Sequence, residues 1–215
     1  MNGFPVTDAR EIVFASANAG KVAELEQLLS PLGWHVVAQG ELGVGSVAET
    51  ATTFVENALL KARHACRETG RPAIADDSGL EVDALGGAPG LHSSRFAARA
   101  GRGEGDEANV RHLLERLAHL EAPDARRARF RCVVVRLRRA DDPAPLIAQG
   151  TWEGRVLDAP VAGGGFGYDP IFADDDTGAA ASTLDRATKN RLSHRGKAVA
   201  LLVAMLAAEG GPGPT

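Results

Sequence analysis

"EIVFASANAGKVAELEQLL", residues 11 to 29, contains the change of period that sets the fold class. Its first six residues are an apolar, β-favouring run, whereas Val22, Leu25, Leu28 and Leu29 recur at helical spacing. A strand therefore gives way to a helix across the short turn "SANAGK" (16–21). Working outward, "WHVVAQ" (34–39) reads as the next strand and the glycine-containing "ELGVGSVAET" (41–50) as a loop. Thr53 and Glu56 have capping-box spacing at the head of a helix that runs through "FVENALLKARHACRE" to Gly70, and Pro72 marks its exit. "GDEANVRHLLERLAHL" (105–120) places Val110, Leu113, Leu114 and Leu117 on one helical face. "ARFRCVVVRLRRA" (128–140) and "LIAQGTWEGRVL" (146–157) pair most simply as a hairpin through "DDPAP". The apolar "AVALLVAMLAA" (198–208) is too short to span a bilayer and reads as a buried C-terminal helix. Strands alternating with helices early and neighbouring strands later predict an α/β chain with a mixed sheet.

Composition narrows the class. A chain of 215 residues with 44% hydrophobic content supports one domain with a substantial core. That domain is expected over 11–209, with a flexible N-terminal extension at 1–10 and a flexible tail at 210–215. With 24 Lys and Arg against 28 Asp and Glu, the charge of -4 gives no global attraction to nucleic acid or an anionic membrane. Neither partner is expected. Cys66 and Cys132 lack metal-ligand spacing and suit reduced thiols, and the six His show no HExxH pattern, so zinc chemistry is not indicated. No basic region leads into a long apolar one at the start, and a cytoplasmic location is expected. Arg127, Arg129, Arg131, Arg136 and Arg138 lie close together, but only Phe130 is interleaved with them. They read as a solvated strand face rather than a single-strand binding groove. "DDD" (174–176) reads as loop.

Five segments carry candidate chemistry. In the turn formed by Ser16, Ala17, Asn18, Ala19, Gly20 and Lys21, helix-start N–H groups favour an anion and Lys21 adds a full charge. It is not a P-loop, because Ala15 and Val22 replace the required Gly and Ser or Thr. An ordinary turn with a solvated lysine is the competing reading. In "AIADDSGLEVDALGGAPG" (73–90), the adjacent Asp76 and Asp77 point to opposite faces of extended backbone, so one faces a site and the other supports it. A turn-forming acid pair accounts for them equally well, although Ser78, Gly79 and the following glycines allow close backbone approach to a ligand. Glu49 offers either an oxygen ligand for Mg²⁺ or a complement to a helix dipole. Lys61 is by default a surface lysine. In "GGGFGYDP" (163–170), Phe166, Gly167, Tyr168 and Asp169 suit either a turn or base stacking with a hydrogen bond to the base edge. "KNRLSHRGKA" (189–198) gathers Lys189, His194 and Arg195 as a basic helix start, an unfavourable place for cations that points to an anion or base carbonyl nearby.

In order and spacing, "SANAGK", "ETATTFVENALLKARHA", "ADDSGLEVDALGGAPG", "GGGFGYDPIF" and "SHRGKA" together resemble the inosine triphosphate pyrophosphatase family, also called dITP/XTP or non-standard purine NTP pyrophosphatases. The likeness runs from about Ile12 to the last helix. It implies a long, curved mixed sheet with flanking helices forming two lobes around a nucleotide-binding cleft, and a homodimer. It also implies Mg²⁺-dependent hydrolysis of ITP, dITP and XTP to the monophosphate and pyrophosphate, which removes them from the nucleotide pool. Residue by residue, Ser16 to Lys21 match the triphosphate segment, Glu49 and Asp77 the metal ligands, and Asp77 also the general base. Lys61 and Ser78 match phosphate-side contacts, Phe166 to Asp169 the base-side loop, and Lys189, His194 and Arg195 further substrate contacts; Asp76 is the supporting acid. His92 after Leu91 and "STLDRATK" (182–189) depart from the usual pattern, which bears on loop conformation. Two competing readings stand beside this one: a Maf-like pyrophosphatase acting on modified pyrimidine nucleotides, and a nucleotide-binding module without turnover.

Overall fold

The change of period at residue 14 is a change of structure in the computed structural model, which describes residues 10–16, 18–120 and 122–209. Strand β1 (Arg10–Phe14) is followed by helix α1 (Ala19–Leu29), whose Leu25 and Leu29 are buried. β2 (Trp34–Ala38) then pairs parallel with β1, Ile12 opposite Val36. α2 (Phe54–Thr69) starts at Thr53, whose hydroxyl accepts the Glu56 N–H at 3.2 Å, and stops at Gly70. The Glu56 carboxylate also accepts from the Thr53 and Thr52 hydroxyls. The expected extension at 1–10 and tail at 210–215 lie outside the described residues, apart from Arg10, which opens β1.

β3 (Ala73–Val82) runs five residues beyond Asp77, so the acid pair sits in mid-strand. Gly79 corrects one reading. A Cβ there would strike the Gly90 carbonyl, so its small size serves chain-to-chain packing rather than ligand approach. After the short α3 (Phe96–Arg99) come α4 (Asp106–Leu117), β4 (Arg127–Leu137), β5 (Leu146–Val156) and β6 (Phe172–Asp174). The six strands form one mixed sheet in the order β2-β1-β3-β4-β5-β6. β1 pairs parallel with β3, β5 antiparallel with β6, and β4 and β5 are neighbours as the hairpin reading expects. The expected single C-terminal helix is two, α5 (Arg186–Leu192) and α6 (His194–Glu209), broken at Ser193.

The described chain divides into two compact units. The first takes the residues up to Asp77, Val133–Ala148 and those from Ala198 onward; the second takes Ser78–Cys132 and Gln149–Lys197. In the first, the alanine face of α2 (Ala58, Ala62, Ala65) packs on Ala73, Ala75, Val133 and Val135, small residues that bring helix and strands close. In the second, Trp152 and Phe172 centre a cluster with Leu80, Leu113, Phe130 and Ile171. The Trp152 indole donates to Asp174 at 2.6 Å, and the Thr177 hydroxyl and N–H also reach that carboxylate. Asp174 is thus a buried strand residue, which corrects its reading as loop. The arginine face is ion-paired rather than simply solvated: Arg129 holds Asp83 and Glu153, and Arg131 holds Glu81. Arg136 departs further, being buried with its guanidinium 5.9 Å from the Trp34 ring centre.

Candidate functional site

In the first unit, β3 presents its two acids to two different helices. Asp77 lies on the side of Ala73 and Ala75, facing α2; Asp76 meets Lys21 from α1. The opposite-face reading therefore holds. Lys21 Nζ donates to both Asp76 oxygens, at 2.7 and 3.0 Å, while Asn18 caps α1 by accepting the Lys21 N–H at 3.1 Å. Ser16 accepts the Asn18 N–H and Gly20 lies exposed in the first turn. The main chain of Ala19 opens the helix, whereas Ala17 lies outside the described residues. The lysine expected at the triphosphate is thus anchored to the supporting acid.

Lys61 is no ordinary surface lysine. Its ammonium donates to Glu49 at 2.7 Å and to Asp77 at 3.1 Å, so one cation joins the two acids assigned to the metal. Helical spacing explains a neighbour that the sequence reading missed. Asn57, one turn before Lys61, is buried and donates its amide to the other Asp77 oxygen at 3.2 Å. Its only sequence signal is a polar side chain beside Ala58, on the helix's apolar face. Burial pushes the Asp77 carboxyl above the ordinary aspartate range; Glu49 adds to the push and Lys61 opposes it. For Lys61 burial works against the charge, but Asp77, Glu49 and Asp76 outweigh it and hold the proton more tightly than usual. Two hard carboxylates around one cation position are a partial shell, and the described residues hold no cluster of three or more metal-ligating side chains. That donor set fits Mg²⁺, which takes one or two carboxylates with substrate phosphates, better than an all-protein cage.

The second unit gathers most of the other candidates. Phe166 is 53% exposed, with Lys189 Nζ 5.5 Å and the Arg195 guanidinium 5.7 Å from its ring centre. Both cations lie within cation–π range of the ring, and its exposure leaves it accessible to a ligand. Asp169 holds the loop from beneath, accepting the Phe166 N–H at 2.8 Å and the Lys189 ammonium at 2.5 Å. Asp106, at the head of α4, accepts the Gly167 N–H at 2.6 Å; the sequence reading gave it no role. Arg195 also reaches the Ser78 hydroxyl at 3.4 Å. Two side chains pack against neighbouring residues. Tyr168 is buried with its hydroxyl donating to the Ser93 carbonyl at 2.8 Å, and burial pushes that hydroxyl's pKa up. His194 stacks on Phe130, ring centres 4.7 Å apart. Ser193 separates α5 from α6: its backbone is extended and its hydroxyl accepts the Gly196 N–H at 3.1 Å, and Gly196 permits the close approach, since a Cβ there would run into the Asn190 carbonyl.

The chain belongs to the Ham1 family, whose model matches residues 12–205. A dITP/XTP pyrophosphatase of Methylococcus capsulatus is 54% identical over 199 residues, covering 93% of this chain and 97% of its own. A solved HAM1 protein from Coxiella burnetii superposes with a TM-score of 0.85 at 45% identity, covering 92% of this chain and 98% of that one. A solved nucleoside-triphosphatase / dITP/XTP pyrophosphatase from Mycobacterium abscessus gives 0.72 at 36% identity, covering 91% and 99%. The family resemblance of the five motifs is thereby borne out.

Proposed function

We propose that this chain hydrolyses non-standard purine nucleoside triphosphates (ITP, dITP and XTP) to the monophosphate and pyrophosphate. The observation that carries the reading is the Lys61 ammonium held between Glu49 and a buried Asp77. The dITP/XTP pyrophosphatase names of its close relatives support the substrate class. Cleaving a phosphoanhydride needs charge neutralisation and a positioned water more than a covalent nucleophile. Asp77, its pKa raised by burial, is suited to accept the proton of that water. The water oxygen bonds to the α-phosphorus, and the bond to the α,β-bridging oxygen breaks with its electron pair leaving on pyrophosphate. Lys61 and Lys21 offset phosphate charge. Glu49 and Asp77 would hold Mg²⁺, which when bound supplies further neutralisation of the phosphate oxygens.

Base recognition is assigned to Phe166, Lys189, Arg195 and the loop backbone from Phe166 to Asp169. Phe166 stacks on the purine, and the donors favour a 6-carbonyl acceptor over the amino group of adenine. His194 and Tyr168 act through packing that fixes this loop and the start of α6. A homodimer working in the cytoplasm completes the reading; no described helix is long and apolar enough to cross a membrane. The test is incubation with Mg²⁺ and each of ITP, XTP, dITP, ATP, GTP and TTP, following pyrophosphate and orthophosphate separately. Pyrophosphate from ITP, dITP and XTP is the expected result. Orthophosphate release would overturn attack at the α-phosphorus, and equal rates on ATP would overturn the base selection.

A further inference from the structure

Asn57 occupies a costly position. It is 1% exposed in the second turn of α2, where Asn is a weak helix former and an apolar residue would pack at no polar cost. Both ends of its amide are used. The Nδ2 group donates to Asp77 Oδ2 at 3.2 Å, and Oδ1 accepts the Ala51 N–H at 3.0 Å. These partners fix the amide's orientation, since a backbone N–H requires oxygen at one end and a carboxylate requires NH₂ at the other. Lys61, four residues further along the same helix face, takes the other Asp77 oxygen at 3.1 Å. With one donor on each oxygen, rotation of the carboxylate about its Cβ–Cγ bond is opposed from both sides. Ala51 lies two residues beyond Glu49, so the same amide also fastens the loop carrying the second acid.

We infer that Asn57 is a positioning residue for the proposed hydrolysis, setting the plane of the Asp77 carboxylate and holding the Glu49 loop in the same frame. A residue that only packed α2 against the sheet would need neither bond. A residue that only tied the loop would need the acceptor but not the donor. The two roles separate by substitution: Asn57→Ala removes both bonds, whereas Asn57→Asp keeps an acceptor for Ala51 and loses the donor to Asp77.

With Mg²⁺ and ITP, both variants should lose about tenfold or more in kcat with KM within about threefold, the pattern of an interaction used in the transition state and not in binding. Wild-type kcat in a folded Asn57→Asp protein, or a loss confined to KM, overturns the inference. A cycle of Asn57→Ala, Asp77→Asn and the double variant, read by urea unfolding, tests the contact without turnover. The folding constants should be non-additive by about fivefold or more; additive costs overturn the inference. If the wild-type protein cleaves no triphosphate, the hydrolysis reading fails by itself and the cycle still decides whether Asn57 is coupled to Asp77.

Discussion

Replacing Asp76 by Asn keeps its shape and removes its charge, leaving the Lys21 ammonium without the carboxylate it meets at 2.7 and 3.0 Å. The side chains of the pair are 3% and 19% exposed. Breaking a fully buried pair costs about 3–5 kcal/mol. Lys21 keeps a route to water and the Asn oxygen can still accept, so roughly half, about 2 kcal/mol, is the expected loss. For a chain of this size that lowers Tm by about 4–8 °C. Lys21→Met should cost more, because it strands a charge on the less exposed partner. The assay is urea unfolding of both single variants and the double, with Tm as a check. The double variant should cost less than the two singles combined by about 1 kcal/mol or more. Raising the salt concentration should change this coupling little, since ions screen a buried pair weakly. A loss below about 0.5 kcal/mol for Asp76→Asn, or additive costs, would refute the assignment of Asp76 as the anchor of Lys21.

Three further outcomes are expected. Asp77→Asn should reduce pyrophosphate release from ITP by about 10²–10⁴-fold while nucleotide binding by calorimetry survives; full turnover would make the acid structural. Asp142 accepts from Arg138 through Nε, Nη2 and the backbone N–H, bonds that hold its carboxyl well below the usual range of 3.8. With the folded pKa depressed, its contribution is present above pH 3.8 and disappears as pH falls towards the folded value, so the stability gap between wild type and Asp142→Asn should close in acid. Denaturation midpoints across that range test it, and a gap independent of pH contradicts it. Gly196→Ala should destabilise by about 1–3 kcal/mol by overpacking against Asn190, reversing the usual helical advantage of alanine; a raised Tm would show that the approach of α5 to α6 relaxes easily.

Periodicity revealed the elements whose burial is one-sided. Val110, Leu113 and Leu117 mark α4, and Thr53 with Gly70 brackets α2, because caps and apolar stripes are local properties. The opposite facing of Asp76 and Asp77 was equally legible, since it follows from extended backbone alone. What failed was anything set by a distant partner. β3 continues through Ser78 and Glu81, where polar residues interrupt the apolar pattern that would announce a strand. At Ser193 the backbone turns extended and Gly196 lies against Asn190, a close approach between two helices that helix propensity does not contain. Lys61 looked like a solvated lysine because the acids that claim it come from other parts of the chain. Asn57 carried no motif of its own. Tyr168 and Phe166 show the converse, two aromatics two residues apart of which only Phe166 stands in water.

The way the two units share the chain also bears on how the protein is made. Val13 and Ala62 pack with Val133 and Val135, while Leu80 and Val110 pack with Phe172 and Ala181. When α4 has left the ribosome, the first cluster still lacks β4 and the second lacks Trp152 and Phe172. Neither interior can close during the first half of synthesis, so the nascent chain carries uncovered apolar faces on α2 and α4 until late. A chain that stops before β4 completes neither interior, because the first cluster needs Val133 and Val135 and the second needs Trp152 and Phe172. Premature termination ahead of β4 therefore forfeits both units together, including residues already made.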